Sequence, residues 1–370
     1  MLLADPALRL QFFYGYAWSD RMMEQLNQDG ENSVRRQLLR SAGHVVRLSV
    51  LLFGSRVAIL RRQILSQIER MVFQRGIASF RPAVIHATNN YIYRSDVPTV
   101  ITVHDISCFR HPETHPEQRV RWQQENLPGA LSQAAHILAV SDFTKNELID
   151  YFGIKPEKIT VTHNGVDDSF KPRPSIEVSA ALSRFGLSRQ QYILTVSTIE
   201  PRKNLDTLVK AYTQLPKPFR LSYPLVVVGM RGWKEAPFIK SLEPLIKEGS
   251  ARLLGYVDQR DIPLLFNGAS TFVYPSIYEG FGIPVAEAMA SGAPVIASNS
   301  SSLPEVLGES GLLVESRNVQ GWTNALRQML LDADLRETMA KRGIERAKLF
   351  TWEQCAQRTL SVYRHAFDNQ

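Results

Sequence analysis

Short apolar runs rich in β-branched residues recur along the first half of the chain, at residues 8–14, 83–86, 97–103, 136–140 and 159–162. Longer stretches with helical spacing of apolar positions separate them. Runs of this length bounded by polar segments read as strands, and their alternation with amphipathic stretches predicts βα units on a parallel sheet. The pattern halts at Phe170-Lys171-Pro172-Arg173-Pro174-Ser175, where two prolines and two cations predict an extended, exposed connection. It then restarts, with strands expected at 192–196, 225–228, 251–254, 271–274, 294–297 and 312–314. Helical spacing closes the chain over 319–349 and 351–367, with Phe350-Thr351-Trp352-Glu353 as the break and N-cap between them. The expected fold class is α/β: two Rossmann-like domains, 1–171 and 172–350, and a final helix, 351–370, packing back toward the first. Open parallel sheets bind ligands beyond the carboxyl ends of their strands, so two facing sheets place a site in the cleft between them.

At 370 residues the chain exceeds what one core usually serves, and 44% hydrophobic with 21% charged residues fits a globular protein. A net charge of +7 favours an anionic partner such as nucleic acid, a phosphate-bearing substrate or an acidic membrane surface. The two cysteines, Cys108 and Cys355, lack CxxC or zinc spacing, which excludes a disulfide framework or zinc knuckle and fits a reducing cytosol. The start lacks the layout of a signal peptide, and the most apolar window, 42–60, is interrupted by Arg47 and Arg56.

Chemistry is concentrated after two of the expected strands. Ser197-Thr198-Ile199-Glu200-Pro201-Arg202-Lys203-Asn204-Leu205 follows the 192–196 strand and leads into a helix. Cations there oppose the helix dipole and so need a reason; Arg202 and Lys203 suit a pyrophosphate, one as a planar fork and the other as a point charge. After the 271–274 strand, Glu279 and Glu287 stand eight positions apart with Gly280-Phe281-Gly282 and a Pro-led helix start between them. Carboxylates accept from sugar and ribose hydroxyls, and glycine lets backbone N–H groups approach a ligand closely.

These residues resemble glycosyltransferase family 4, whose hallmark is Glu, seven residues, Glu. The resemblance spans nearly everything from residue 80 onward: TVHDIS (102–107), VSDFTKNEL (140–148), HNGVD (163–167), STIEPRKNL (197–205), VVVGMRGW (226–233), LLGYV (253–257), YPSIYEGFGIPVAEAMASGAPVIAS (274–298) and SSLPEVLGESGLLV (301–314). It implies a GT-B fold and sugar transfer from a nucleotide diphosphate donor with retention of configuration, catalysed by positioning and by charge stabilisation of the leaving diphosphate. It further implies that Arg202 and Lys203 grip the pyrophosphate and that Glu287 holds the ribose. Glu279 would bind the donor sugar with the backbone of Phe281, Gly282 and Ile283, and the base would rest near Tyr256 and Val257. His104 would stand beside the reacting sugar, and Ser141, Asn164 and Gly165 would line the cleft. No metal or other cofactor is expected. The stretch 301–314 is similar to mannosyl- or rhamnosyl-transferring members that use GDP-sugars and extend lipid-linked bacterial surface polysaccharides such as O antigen.

From 33 to 76 nine arginines accompany one acid, Glu69, among apolar residues at near-helical spacing. This resembles a helix on an anionic membrane, predicting a cytoplasmic enzyme peripheral to the inner membrane face. The alternative is a helix pair whose arginines face water or an acidic acceptor. Nucleic acid is not expected, because no aromatic-basic platform accompanies the charge. Asp332-Ala333-Asp334 reads as solvated surface. Family members open with a strand, a glycine-rich loop and a helix, whereas this chain starts Met1-Leu2-Leu3-Ala4-Asp5-Pro6 and enters an apolar run at once. The expectation is an internal start or truncated product whose first domain lacks that strand and glycine loop at the centre of its sheet. The readings that compete are a UDP-sugar-dependent transferase, a truncated non-catalytic nucleotide-sugar-binding protein, and an epimerase or phosphorylase of shared architecture.

Overall fold

The computed structural model describes residues 12–13, 18–19 and 55–368. Near the start, β1 (Phe12–Phe13) pairs antiparallel with β2 (Trp18–Ser19), Phe12 opposite Ser19 and Phe13 opposite Trp18. Of the strand expected over 8–14, the described residues Phe12–Phe13 therefore lie in an antiparallel pair and not in a parallel sheet. Only four residues separate the two segments, Gly15 among them, and a parallel crossover needs a dozen or more. The expectation about the chain's beginning, resting on residues 1–11, and the Arg-rich residues 33–54 lie outside the described residues.

The first sheet joins β3 (Ile85–Ala87), β4 (Thr99–Val103), β5 (His136–Ala139) and β6 (Ile159–Val161), parallel neighbours in chain order. Its residues alternate between two cores, as a sheet covered on both faces requires. Ile101, Val103, Ile137 and Ala139 meet Leu127 and Leu131 of helix Glu117–Gln133 and Leu148 of helix Asp142–Phe152. Val100 and Leu138 meet Val362 and Ala366 of the last helix, Trp352–Asp368. That helix starts where the Gln354 N–H donates to Thr351 Oγ1 at 3.2 Å, and Tyr363 Oη lies 2.5 Å from His86 Nδ1.

The second sheet joins β7 (Ile193–Val196), β8 (Leu225–Val228), β9 (Ala251–Gly255), β10 (Thr271–Tyr274), β11 (Val295–Ser298) and β12 (Gly311–Val314) in the order β12-β11-β10-β7-β8-β9. Alternation again explains the apolar runs. Leu194, Val226, Phe272 and Val295 enter one core, and Ile193, Val227, Val273 and Ile296 the other. Each fully buried aliphatic contributes about 1.5–3 kcal/mol, which fixes the register, because a one-residue slip would exchange the two faces.

Asn267 pins the connection between the sheets, accepting from the Arg173 N–H at 2.7 Å and donating to the Lys171 carbonyl at 3.0 Å. The helical pattern over 319–349 resolves into Val319–Leu331 and Ala333–Ala347, parted at Asp332, whose carboxylate accepts from the Leu335 N–H at 2.8 Å. Asp332 and Asp334 are both exposed, and Asp332 is a cap as well as surface. No helix among the described residues is long and apolar enough to cross a membrane.

Candidate active site

The strand order of the second sheet reverses between β7 and β10, so the loops leaving their carboxyl ends diverge and open a crevice. The β7 loop makes a 3-10 turn, Pro201–Lys203, closed by Asn204 in the left-handed region at φ 55°. The Asn204 amide ties this turn to the β10 loop by donating to the Pro275 carbonyl at 3.0 Å. Both expected cations thus come to face Glu279, which the β10 loop delivers.

The four charges form a closed, nearly buried group. Arg202 Nη2 lies 2.8 Å from Glu200 Oε1 and Nη1 3.0 Å from Glu279 Oε2, while Lys203 Nζ lies 2.6 Å from Glu279 Oε1. Glu279 Oε1 also accepts from Ser276 Oγ at 2.6 Å and Tyr274 Oη at 3.0 Å. Burial opposes charge on Glu279, but Arg202 and Lys203 overcome it and bring the carboxyl down to about 2. Burial likewise opposes charge on Arg202, and Glu279, Asp105 and Glu200 hold its guanidinium above the usual range. Glu200 and Glu279 thus hold both cations in place, with Asp105 adding to the field on Arg202, and Glu279 is the counter-ion of both cations.

Glu287 is in a different environment. It sits half-buried in helix Ile283–Ala290, where burial and then the negative field of Asp167 push its carboxyl up to about 7. The two glutamates of one motif therefore differ in charge at neutral pH, one always ionised and the other at its titration point.

The first domain closes directly onto these loops. A Cβ on Gly280 would lie 1.7 Å from the His104 carbonyl oxygen, so glycine is needed for the approach. Ser141 Oγ caps helix Asp142–Phe152, accepting from the Thr144 N–H at 3.0 Å, and donates to the Gly280 carbonyl at 2.5 Å. Glu305, from the second domain, accepts from the Asp142 and Phe143 N–H groups at 2.9 and 3.0 Å, placing a carboxylate on the positive end of the same helix. His163 Nε2 lies 2.7 Å from its Oε1. Asp142, His163 and Glu305 bring ligand-type atoms within 4.8 Å of one another, but the Glu305 oxygens are already taken by these N–H groups and the imidazole. Trp233 Nε1 donates to the Thr114 carbonyl at 2.6 Å, and Tyr278 Oη donates to Glu147 at 3.2 Å.

The remaining expected residues divide. His104 is exposed at the end of β4, its Nε2 3.3 Å from the Thr88 carbonyl oxygen. Tyr256 is 74% exposed after β9, whereas Val257 is buried. Gly282 starts the Glu287 helix at φ 96°, Ile283 is exposed beside it, and the Phe281 ring lies in the core against Phe350. Asn164 is half-buried. Gly165 is buried. A Cβ there would lie 2.2 Å from the Trp352 nitrogen, so this glycine allows the last helix to start close against the 163–167 turn. Glu200, Glu305, Tyr278 and Trp233 were not singled out from sequence, although each lies within a recognised motif. Arg119, Trp122 and Gln123, on helix Glu117–Gln133, lie in no motif.

Comparison with known proteins agrees with this geometry. Residues 31–170 match the Glycosyltransferase Family 4 model and residues 184–346 the model for Glycosyl transferases group 1. The O-antigen chain mannosyltransferase B of Escherichia coli is 39% identical over 316 residues, covering 84% of this chain and 83% of that protein. The chain belongs to glycosyltransferase family 4.

Solved structures place this family 4 glycosyltransferase in the GT-B fold. The sucrose-phosphate synthase of Thermosynechococcus elongatus superposes with a TM-score of 0.69 at 23% identity, over 83% of this chain and 79% of that one. HepE of Anabaena, solved with UDP and glucose, superposes with a TM-score of 0.67 at 23% identity, over 84% and 83%. What this enzyme's crevice offers chemically is a fixed pair of cations at the switch point, a low-dielectric setting, and the first domain closing over it.

Proposed function

We propose that the enzyme transfers a mannosyl unit, with retention of configuration, from GDP-mannose to a lipid-linked O-antigen-type glycan. The observation that carries this reading is Arg202 and Lys203 on the β7 loop, held by Glu279 at the strand-order reversal where a diphosphate would sit. The 39% identity to the E. coli O-antigen chain mannosyltransferase B supports the sugar and the acceptor.

In this mechanism the leaving GDP develops charge on its β-phosphate. Arg202 and Lys203 neutralise it in the transition state, so no metal is required, and preorganisation by Glu200 and Glu279 avoids rearrangement as the bond breaks. Glu287 accepts from the ribose hydroxyls, Glu279 and the 281–283 backbone meet the sugar, and the base rests by Tyr256 and Val257. His104, at the end of β4, stands on the acceptor side of the reacting carbon, and Ser141 and Asn164 support that wall. The first domain takes the acceptor. The Arg-rich stretch 33–76 brings the enzyme to the anionic cytoplasmic membrane face where a lipid-linked glycan is held.

Calorimetric titration with GDP and with UDP tests the donor. GDP binding that is lost in Arg202→Ala/Lys203→Ala is the result expected. Binding of UDP alone replaces GDP-mannose with a UDP-sugar, and no binding of either by folded protein removes the nucleotide-sugar reading.

A further inference from the structure

Two cavities lie in line along one face of helix Glu117–Gln133. The nearer, about 320 Å³, opens beside His104 between Asn89 and Asn90 on one side and Arg119, Trp122 and Gln123 on the other. The farther, about 560 Å³, lies between Tyr91 and Tyr93 on one side and Asn126, Gly129 and Gln133 on the other, with helix Ser55–Phe80 at its end. Positions 119, 122, 126, 129 and 133 are three or four apart and so form one stripe of the helix, while consecutive residues from 89 onward form the opposite wall. The Tyr91 and Trp122 rings, one from each cavity, are 6.4 Å apart, so the two spaces share a wall. From 119 to 133 the helix advances roughly 21 Å, the span of several sugar residues.

The lining chemistry selects among ligands. Side-chain amides at Asn89, Asn90, Asn126 and Gln133 can donate and accept, as a polyhydroxylated ligand requires; Asn126 and Gln133 each spend one N–H on the Trp122 and Gly129 carbonyls and keep the second N–H and the oxygen. The rings of Tyr91 and Trp122 offer π-faces to the C–H faces of pyranose rings, and Tyr93, stacked on Phe73 at 4.7 Å, adds the side of its ring turned away from that stack. Acids and bases are mixed, with Asp105 and Arg119 in one cavity and Glu125, Arg70 and Arg94 in the other, so the groove has no strong single sign. A second observation points to a bound hydroxyl. Gln123 is 7% exposed, and its Oε1 is buried with no hydrogen-bond partner. A buried acceptor is normally satisfied, and because Gln123 lines the nearer cavity, a turn of its side chain toward that space would present this oxygen to a sugar hydroxyl.

We propose that this groove holds several consecutive sugars of an uncharged glycan acceptor, with the growing end beside His104 and the older sugars over Trp122, Tyr91 and Tyr93. The enzyme thereby selects chains already several sugars long. This rests on the reading of the protein as a transferase that extends a glycan.

The test measures transfer from GDP-mannose to a manno-disaccharide and a manno-hexasaccharide, with separate titration of the hexasaccharide by tryptophan fluorescence. The hexasaccharide is expected to show a KM about tenfold lower than the disaccharide, the scale of one or two aromatic contacts. In Tyr93→Ala and in Asn126→Ala, which removes only an amide head, that ratio falls toward one; circular dichroism identifies any variant that fails to fold. Transfer with equal KM for both acceptors overturns the groove and leaves the transferase reading standing. Hexasaccharide binding that Tyr93→Ala abolishes, with no transfer from any nucleotide sugar, keeps the groove and overturns transfer. Neither binding nor transfer overturns both.

Discussion

Glu279→Gln removes the negative charge that Arg202 and Lys203 share. Lys203 keeps only the Tyr274 hydroxyl, 2.8 Å away, and Arg202 keeps Glu200. The carboxyl lies at about 2 against an ordinary 4.5, a displacement of about 2.5 pH units, and at about 1.4 kcal/mol per unit its ionised form is worth about 3 kcal/mol to the fold. That agrees with the 3–5 kcal/mol lost when one partner of a buried ion pair is removed. Because the folded value is depressed, the contribution is complete above about 4.5 and disappears as the pH falls toward about 2. Hydrogen exchange of the β10 amides reports this domain's own opening and avoids averaging over two domains. At pH 7 their protection is expected to fall roughly a hundredfold in Glu279→Gln, and the acid dependence of the parent between pH 5 and 3 to flatten. GDP, which brings negative charge to the same cations, is expected to restore more protection in the variant than in the parent. A change of less than about threefold in protection, with the parent's acid dependence intact, would refute the assignment of Glu279 as counter-ion of both cations.

Three further outcomes follow from the interdomain contacts and from Glu287. Glu305→Gln takes the charge off the start of helix Asp142–Phe152 and weakens its contact to His163; a loss of about 1–2 kcal/mol of closure is expected, seen as a larger radius of gyration by small-angle scattering. Gly280→Ala drives a methyl into the His104 carbonyl and forces the domains apart, so turnover is expected to fall at least tenfold while the melting of the second domain hardly changes. Glu287, with its folded value raised to about 7, weakens the fold as the pH rises from about 4.5 through 7 and the carboxyl ionises against burial and Asp167. Glu287→Gln is therefore expected to be more stable than the parent at pH 8 and equal to it at pH 4, measured by urea titration, while losing nucleotide affinity at pH 8.

Periodicity made most of the fold legible, because both sheets are covered on both faces and their strands are short, largely apolar runs such as Leu225–Val228 and Val295–Ser298. It misled at Phe12–Phe13, where an apolar run in an antiparallel pair has the same local signature as one in a parallel sheet. The cations and glutamates were legible because they stand at strand ends beside glycine and proline, but their pairing was not. Glu279 and Arg202 are 77 positions apart, and only the reversal in strand order brings them together. Glu305 was invisible for the same reason, since its partners Asp142 and Phe143 lie more than 160 positions away. The packing at Gly165 was not legible either, because a glycine in a turn gives no sign of what approaches it, here the backbone of Trp352.

The central claim is that Arg202 and Lys203 carry a departing diphosphate. Its most direct test is mannose transfer from GDP-mannose to a manno-oligosaccharide by the parent, Arg202→Ala and Lys203→Ala, with the anomeric configuration of the product read by NMR. Product with the donor's configuration, formed at least a hundredfold more slowly by each variant with a modest change in acceptor KM, is the result expected. Transfer at the parent's rate by either variant, or product of inverted configuration, would contradict it.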